Sequence, residues 1–162
     1  MAHELLQKIR AAWPGIQLAV RASVAAVLSL VIAGWLELHY PIYAFIAAVI
    51  VTDLNPAVSR KLALRRIGAT LVGAICGASL SFLTPGVWVV GVGILLAMLL
   101  AQALRAGEGA RVAGYISGIV LLDHSAAPWD YALHRFLETA LGVLIAWAIS
   151  YVPKLIDFQG KD

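Results

Sequence analysis

Two stretches of this sequence set an arginine, a threonine and a glycine at the same spacing: RIGATLVG, residues 66–73, and RFLETALG, residues 135–142. Both read R-x-x-x-T-x-x-G, in a chain that holds only four threonines. A spacing of four puts Arg66 and Thr70 on one helix face, and likewise Arg135 and Thr139. Gly73 and Gly142 continue those faces and allow a second helix to approach closely. A guanidinium brings permanent positive charge and a fork of donors, and the hydroxyl adds one more donor. Near a helix N-terminus, where the dipole is positive, such a face suits an anion.

Other polar residues bear on the same chemistry. Glu138 lies one turn from both His134 and Arg135, so it is either a local ion-pair partner or a group that carries a coupled proton. Arg21, with Gln17 one turn earlier, stands inside an apolar run, where a charge either snorkels to the interface or lines a cavity. Asp53 and Asp123 each close a short apolar segment. Asp53 belongs to DLNP, which reads either as a turn with Asn55 capping a helix that starts at Pro56, or as a charge that orients a neighbouring arginine. Arg66 and Arg135 also have plainer readings, as parts of a topology-setting basic cluster and of a headgroup anchor.

The elements that must position these residues lie in a membrane. Of the 162 residues, 62% are hydrophobic and 13% charged, and the mean hydropathy is +0.89. Soluble domains average about 45–50% apolar and about 25% charged. The balance of twelve basic and nine acidic residues gives a net charge of +3. The single cysteine, Cys76, excludes an intrachain disulfide framework.

A spanning helix needs about 20 apolar residues. The runs 16–36, 64–84 and 132–152 have that length, and 86–105 follows a break at Thr84-Pro85-Gly86. Two more, 41–52 and 112–122, would rise only about 16–18 Å, and are read as short transmembrane elements. Residues 1–15 form a short amphipathic helix with Leu5, Leu6, Ile9 and Trp13 on one face, ended at Pro14-Gly15. No cleavable signal peptide is expected, because this segment is too polar. Ten of the twelve basic residues fall on one side of the resulting topology, Arg135 on the other and Arg21 within span 1. By the positive-inside rule both termini are cytoplasmic. Trp35, Trp88 and Trp129 fall at the opposite ends of the spans, where aromatic belts form.

AFIAAVIVTD, residues 44–53, aligns on GYISGIVLLD, residues 114–123, at an offset of 70, while the arginine motifs align at 69. The expected architecture is therefore an all-α integral membrane protein of six transmembrane helices built as a 3+3 inverted repeat. Residues 16–84 form repeat 1, residues 85–153 repeat 2, and residues 154–162 a cytoplasmic tail. Inverted repeats recur in transporters, where short segments at matching positions of both halves mark the site. The pseudo-twofold axis would then put Arg66 at the inner mouth of a path and Arg135 at the outer. Gly73-x-x-x-Gly77 and Gly114-x-x-x-Gly118 are small-residue motifs for helix packing.

With these residues placed, the chain resembles the fusaric-acid-resistance and aromatic acid exporter (FUSC) superfamily, through residues 21–77 and 134–147. Arg21 stands where members carry a basic residue early in span 1. Tyr43-Ala44 stands at their tyrosine-tryptophan-alanine, Asn55-Pro56 at their proline turn, and Arg66–Gly73 at their R-x-x-G-T-x-x-G run. Tyr43 replaces the usual tryptophan, and Gly68 is displaced from the usual glycine position. Longer relatives add a soluble domain or a second membrane half, so this chain resembles a minimal membrane module. The resemblance implies export of organic, often aromatic, carboxylic acids. Through the distant plant aluminium-activated malate transporters it also implies an anion pathway and a homodimer or higher homo-oligomer.

The leading expectation is a bacterial inner-membrane carrier or channel for organic anions. Arg21, Arg66 and Arg135 would supply positive potential, and Thr70 and Thr139 hydroxyl contacts. Asp53, Asp123 and Glu138 would serve coupling or charge pairing, and Gly73, Gly77, Gly114, Gly118 and Gly142 helix packing. The alternative is a non-conducting scaffold in which the charges pair internally. No enzyme motif, cofactor or metal site is expected, and His124 and His134 are read as interfacial residues or as sensors of outside pH. The basic cluster from Arg60 to Arg66 adjoins the membrane, so it suits anionic lipid and no nucleic acid.

Overall fold

The structure, a computed structural model, describes residues 2–83, 86–123 and 127–152, with side chains from residue 12 onward. The Thr84-Pro85 break, His124, the tail 154–162 and the side chains of Leu5, Leu6 and Ile9 lie outside the described residues. Six α-helices follow in order: α1 (Ala2–Trp35), α2 (Ile42–Val51), α3 (Pro56–Leu80), α4 (Val87–Ala103), α5 (Gly109–Asp123) and α6 (Pro128–Ser150). No strand occurs among the described residues. Three helices are long and apolar enough to cross a membrane: α1 over Ala12–Trp35, α3 and α6.

Local chemistry sets the boundaries. The Asn55 side chain accepts from the Ala57 N–H at 2.9 Å, and Pro56 opens α3. Pro128 opens α6 in the same way. A proline at the first helical position gives up a donor that has no intrahelical partner. At the other end, α1 stops on Glu37 (φ 51°), where Leu38 N–H reaches back to the Ala33 carbonyl at 3.0 Å. α4 stops on Arg105 (φ 58°), where Ala106 N–H reaches the Ala101 carbonyl at 2.9 Å. Such left-handed turns satisfy the last carbonyls of a helix. Among the described residues these two are the non-glycine positions with positive φ.

Two expectations are corrected. α1 runs through Pro14 without a break; a proline removes one backbone bond, and the helix-forming residues before and after it carry the helix across. α4 has 17 residues rather than the 20 of its apolar run, because its C-terminal turn begins at Leu104. The two short elements are α2, whose 10 residues rise about 15 Å, and α5, whose 15 residues rise about 22 Å.

α3 and α6 pack on each other at the centre. α5 and α4 lie against α3, α2 and α1 lie against α6, and α2 also packs on α1 and α5 on α4. Exchanging α1 with α4, α2 with α5 and α3 with α6 leaves this set of packed pairs unchanged.

Glycine makes the two closest crossings possible. A Cβ on Gly73 would strike the Ala113 carbonyl, with Ala113 Cα at 2.9 Å; one on Gly142 would strike the Ala44 carbonyl, with Ala44 C at 2.8 Å. Gly77 is next, facing Val120 Cβ at 2.7 Å and the Ser117 backbone at 3.0 Å, and Gly114 faces the Met98 side chain. Gly118 is looser, with Ile94 at 3.4 Å.

The core is built largely of alanine, while Val27, Leu64, Leu95, Leu122 and Trp88 are exposed. That much exposed apolar surface suits hydrocarbon rather than water. The interior meanwhile holds Arg66, Thr70, Ser117, Arg135, Glu138 and Thr139.

Candidate functional site

Both arginines sit well inside their helices. Arg66 is ten residues, about 15 Å, beyond the start of α3, and Arg135 is seven residues, about 10 Å, beyond the start of α6. Each lies on the buried face that also carries its threonine and glycine. The expected placement at two opposite mouths is at odds with the meeting of the two side chains at Tyr115. The charges of Arg60 and Lys61 delay the apolar run to residue 64, but the helix has already begun at Pro56.

The two guanidinium groups meet at one hydroxyl. Arg66 Nη2 donates to Tyr115 Oη at 2.8 Å, and Arg135 Nη2 donates to the same oxygen at 3.3 Å. The two nitrogens are therefore within about 6 Å of each other. Arg66 is 3% exposed and Arg135 1%. Two unit charges about 6 Å apart repel by about 3 kcal/mol at an effective dielectric constant of 20. A neutral hydroxyl brings no charge to offset that.

Tyrosines hold Arg135. Its Cζ stands 3.2 Å from the centroid of the Tyr43 ring, a face-on cation–π contact. Tyr131 donates from its hydroxyl to the Tyr43 hydroxyl at 3.1 Å. The Tyr131 ring packs edge-on against Tyr40 and Tyr43, with centroids 5.4 and 6.3 Å apart. Glu138 does not close on Arg135 by a hydrogen bond. Its Oε1 accepts from the Tyr40 backbone N–H at 2.6 Å, just ahead of α2, and its Oε2 is buried without a hydrogen-bond partner.

Arg66 Nε, Arg135 Nε and Nη1, and the Thr70 and Thr139 hydroxyls one turn further along the same helices are buried and have no hydrogen-bond partner among the described residues. The Ser117 hydroxyl, also without one, lies against Gly93 of α4. Each such group costs about 1–3 kcal/mol. Such groups ask for a partner, which a bound water or a polar ligand supplies. Beside Arg66 lies a cavity of about 290 Å³ between α2 and α5, bounded by Ile50, Arg65, Arg66, Glu108, Arg111 and Val112. That is near the lower end of the range for small-molecule sites, about 300–1,000 Å³, and three arginines and one carboxylate line it.

Other expected site residues lie elsewhere. Arg21 Nη2 donates to the Val152 carbonyl at 2.7 Å, and its Nη1 to the Leu54 and Ser150 carbonyls at 3.4 Å each. It neutralises the negative end of α6, about 22 Å along that helix from Arg135. Asp53 Oδ1 accepts from the Asn55 N–H at 2.8 Å, so it shapes the turn before α3 rather than orienting an arginine. Asp123 is exposed at the last residue of α5. His134 lies beside His39, ring centroids 4.2 Å apart, with its Nδ1 2.9 Å from the Asp130 carbonyl oxygen.

Sequence reasoning missed Tyr115, and with it the structural use of Tyr40, Tyr43 and Tyr131. Four of the chain's five tyrosines gather here. The available signal was Tyr115 itself, a single large polar side chain within the small-residue segment VAGYISG.

A family model described as fusaric acid resistance protein-like matches residues 26–149, more than half of the chain. The matched stretch contains Arg66, Tyr115 and Arg135, and leaves out Arg21. Comparisons with curated proteins and with solved structures gave no match.

Proposed function

The chain belongs to the fusaric acid resistance protein-like family, a transporter family for membrane transport and efflux of organic acids, and from that premise we propose that it carries organic carboxylate anions along a pathway lined by basic residues. One observation carries this reading: two buried arginines converge on the Tyr115 hydroxyl with three further guanidinium N–H groups unused. A carboxylate answers both features. It cancels charge, and its two oxygens accept several hydrogen bonds at once. Thr70 and Thr139 add hydroxyls on the same helix faces. The arginine-lined cavity supports entry beside Arg66.

In this proposal the six helices are transmembrane elements of a 3+3 inverted repeat, α1–α3 and α4–α6, with both termini cytoplasmic in a bacterial inner membrane. Three observations support the repeat: the packed pairs survive exchange of the halves, α1 and α4 end in the same turn, and Gly73 and Gly142 face carbonyls of matching residues. Ala113 lies 69 residues after Ala44, as Gly142 does after Gly73. These contacts favour an offset of 69 through α2 and α5 instead of the 70 that Asp53 and Asp123 suggested. The chain acts as a homodimer or higher homo-oligomer in this reading.

The scaffold alternative requires Arg135 and Glu138 to neutralise each other. Glu138 gives one oxygen to Tyr40 and has no hydrogen bond to Arg135, although the two charges act on each other. The test is anion flux into proteoliposomes driven by a potassium-set potential, comparing benzoate, malate and chloride. Flux above empty liposomes supports the reading, and no flux from folded, inserted protein returns the choice to the scaffold.

A further inference from the structure

We propose that the Tyr115 hydroxyl is an internal stand-in for the substrate: it occupies the place of a carboxylate oxygen between Arg66 and Arg135, and the arriving anion displaces it. This rests on the reading of the arginine pair as the anion site. A single oxygen accepts from both guanidinium groups, at 2.8 and 3.3 Å, as an anion's oxygen would. It is a poor occupant. It brings no charge to two cations, and it leaves Arg66 Nε and Arg135 Nε and Nη1 unused. A carboxylate offers negative charge and about four lone-pair sites, so it competes well for the same donors.

Tyr115 is also free to leave. It is 39% exposed, whereas Tyr131 is 2% exposed and bonded to Tyr43. Tyr43 lies beneath the Arg135 guanidinium at 3.2 Å and supports it whether or not Tyr115 stays. Arg135 is thus held independently of the group that caps it, while Arg66 meets Tyr115 through both its hydroxyl, at 2.8 Å, and its ring, at 5.9 Å. Displacement raises the concentration that every anion needs by the same factor. The preference for a carboxylate over a single-centred halide comes from its bidentate fit to the donors that Tyr115 gives up. Tyr115 therefore shields the pair at rest.

The test is flux in proteoliposomes of the full chain, with benzoate and chloride as probes, for wild type, Tyr115→Phe, Tyr115→Met and Arg135→Gln. Removing the hydroxyl removes a competitor. The half-saturating benzoate concentration falls about three- to tenfold in Tyr115→Phe, and that of chloride falls by about the same factor. A residue that merely positions the arginines gives the opposite sign. An unchanged or raised half-saturation in the folded variants overturns the proposal, as does failure of both tyrosine variants to fold. Wild-type flux that does not depend on Arg135 removes the anion-site reading itself. Arg135-dependent flux with the wrong sign at Tyr115 removes only the stand-in.

Discussion

Arg66 and Arg135, from opposite halves of the chain, donate to the same tyrosine hydroxyl, Tyr115 Oη, at 2.8 and 3.3 Å. Two like charges held this close are a positive site rather than two separate steps along a path. Tyr43 stacks under one of them, the arginine-lined cavity adjoins the other, and Thr70 and Thr139 follow on the same faces. The family's transport of organic acids gives such a site its proposed ligand.

Thr139→Val should separate function from stability. The hydroxyl is buried and unpartnered, so replacing it with an apolar group of the same shape leaves stability unchanged or slightly raised. Apparent affinity for benzoate should fall, by about three- to tenfold for a lost hydrogen bond of about 1 kcal/mol. Thermal unfolding in detergent and flux half-saturation check the two halves of this expectation, and Thr70→Val should behave alike.

Arg21→Gln should do the reverse. Its hydrogen bonds go to carbonyls at the ends of α2 and α6, so the variant loses about 1–3 kcal/mol of stability. The half-saturating benzoate concentration stays at the wild-type value. A lower melting temperature with unchanged half-saturation is the expected pair of readings; a tenfold rise in half-saturation would return Arg21 to the pathway.

Much of this was legible from residue types. Asn55 and Pro56 announced the start of α3 through their own chemistry, and the R-x-x-x-T-x-x-G spacing announced two polar helix faces. Depth was not legible. A hydropathy window starts the run only after Arg60 and Lys61, although the helix begins before them at Pro56 and holds Arg66 ten residues in. Nor does a lone tyrosine in VAGYISG reveal that two arginines from other helices will converge on it. The partners of Arg21 were illegible for a related reason: the carbonyls that it serves belong to segments 33 and 129–131 residues away, so no local pattern could disclose them.

Gly142→Ala and Gly118→Ala should differ sharply. A methyl at Gly142 meets the Ala44 backbone carbonyl, which cannot move without shifting α2, and overpacking of this kind costs about 1–3 kcal/mol. At Gly118 the nearest atom is the Ile94 side chain at 3.4 Å, ordinary contact, so the gain in helix propensity decides and stability rises by up to about 1 kcal/mol. Unfolding temperatures in the same detergent provide the comparison.

Tyr43→Leu should loosen Arg135. A desolvated cation–π contact contributes about 2 kcal/mol, so affinity for benzoate should drop by up to about 30-fold. Tyr43→Trp, which restores an aromatic face, should recover most of it. Equal losses in both variants would show that packing rather than the ring face matters.

The most direct measurement is a double-mutant cycle on the arginine pair, read as potential-driven benzoate flux in proteoliposomes. If Arg66 and Arg135 hold one anion between them, Arg66→Gln and Arg135→Gln each lower flux efficiency by about 10- to 100-fold. The double variant then falls only a few-fold below the worse single one, because the shared site is already lost. Losses that multiply, or wild-type flux in a folded Arg135→Gln protein, would contradict a single site at Tyr115.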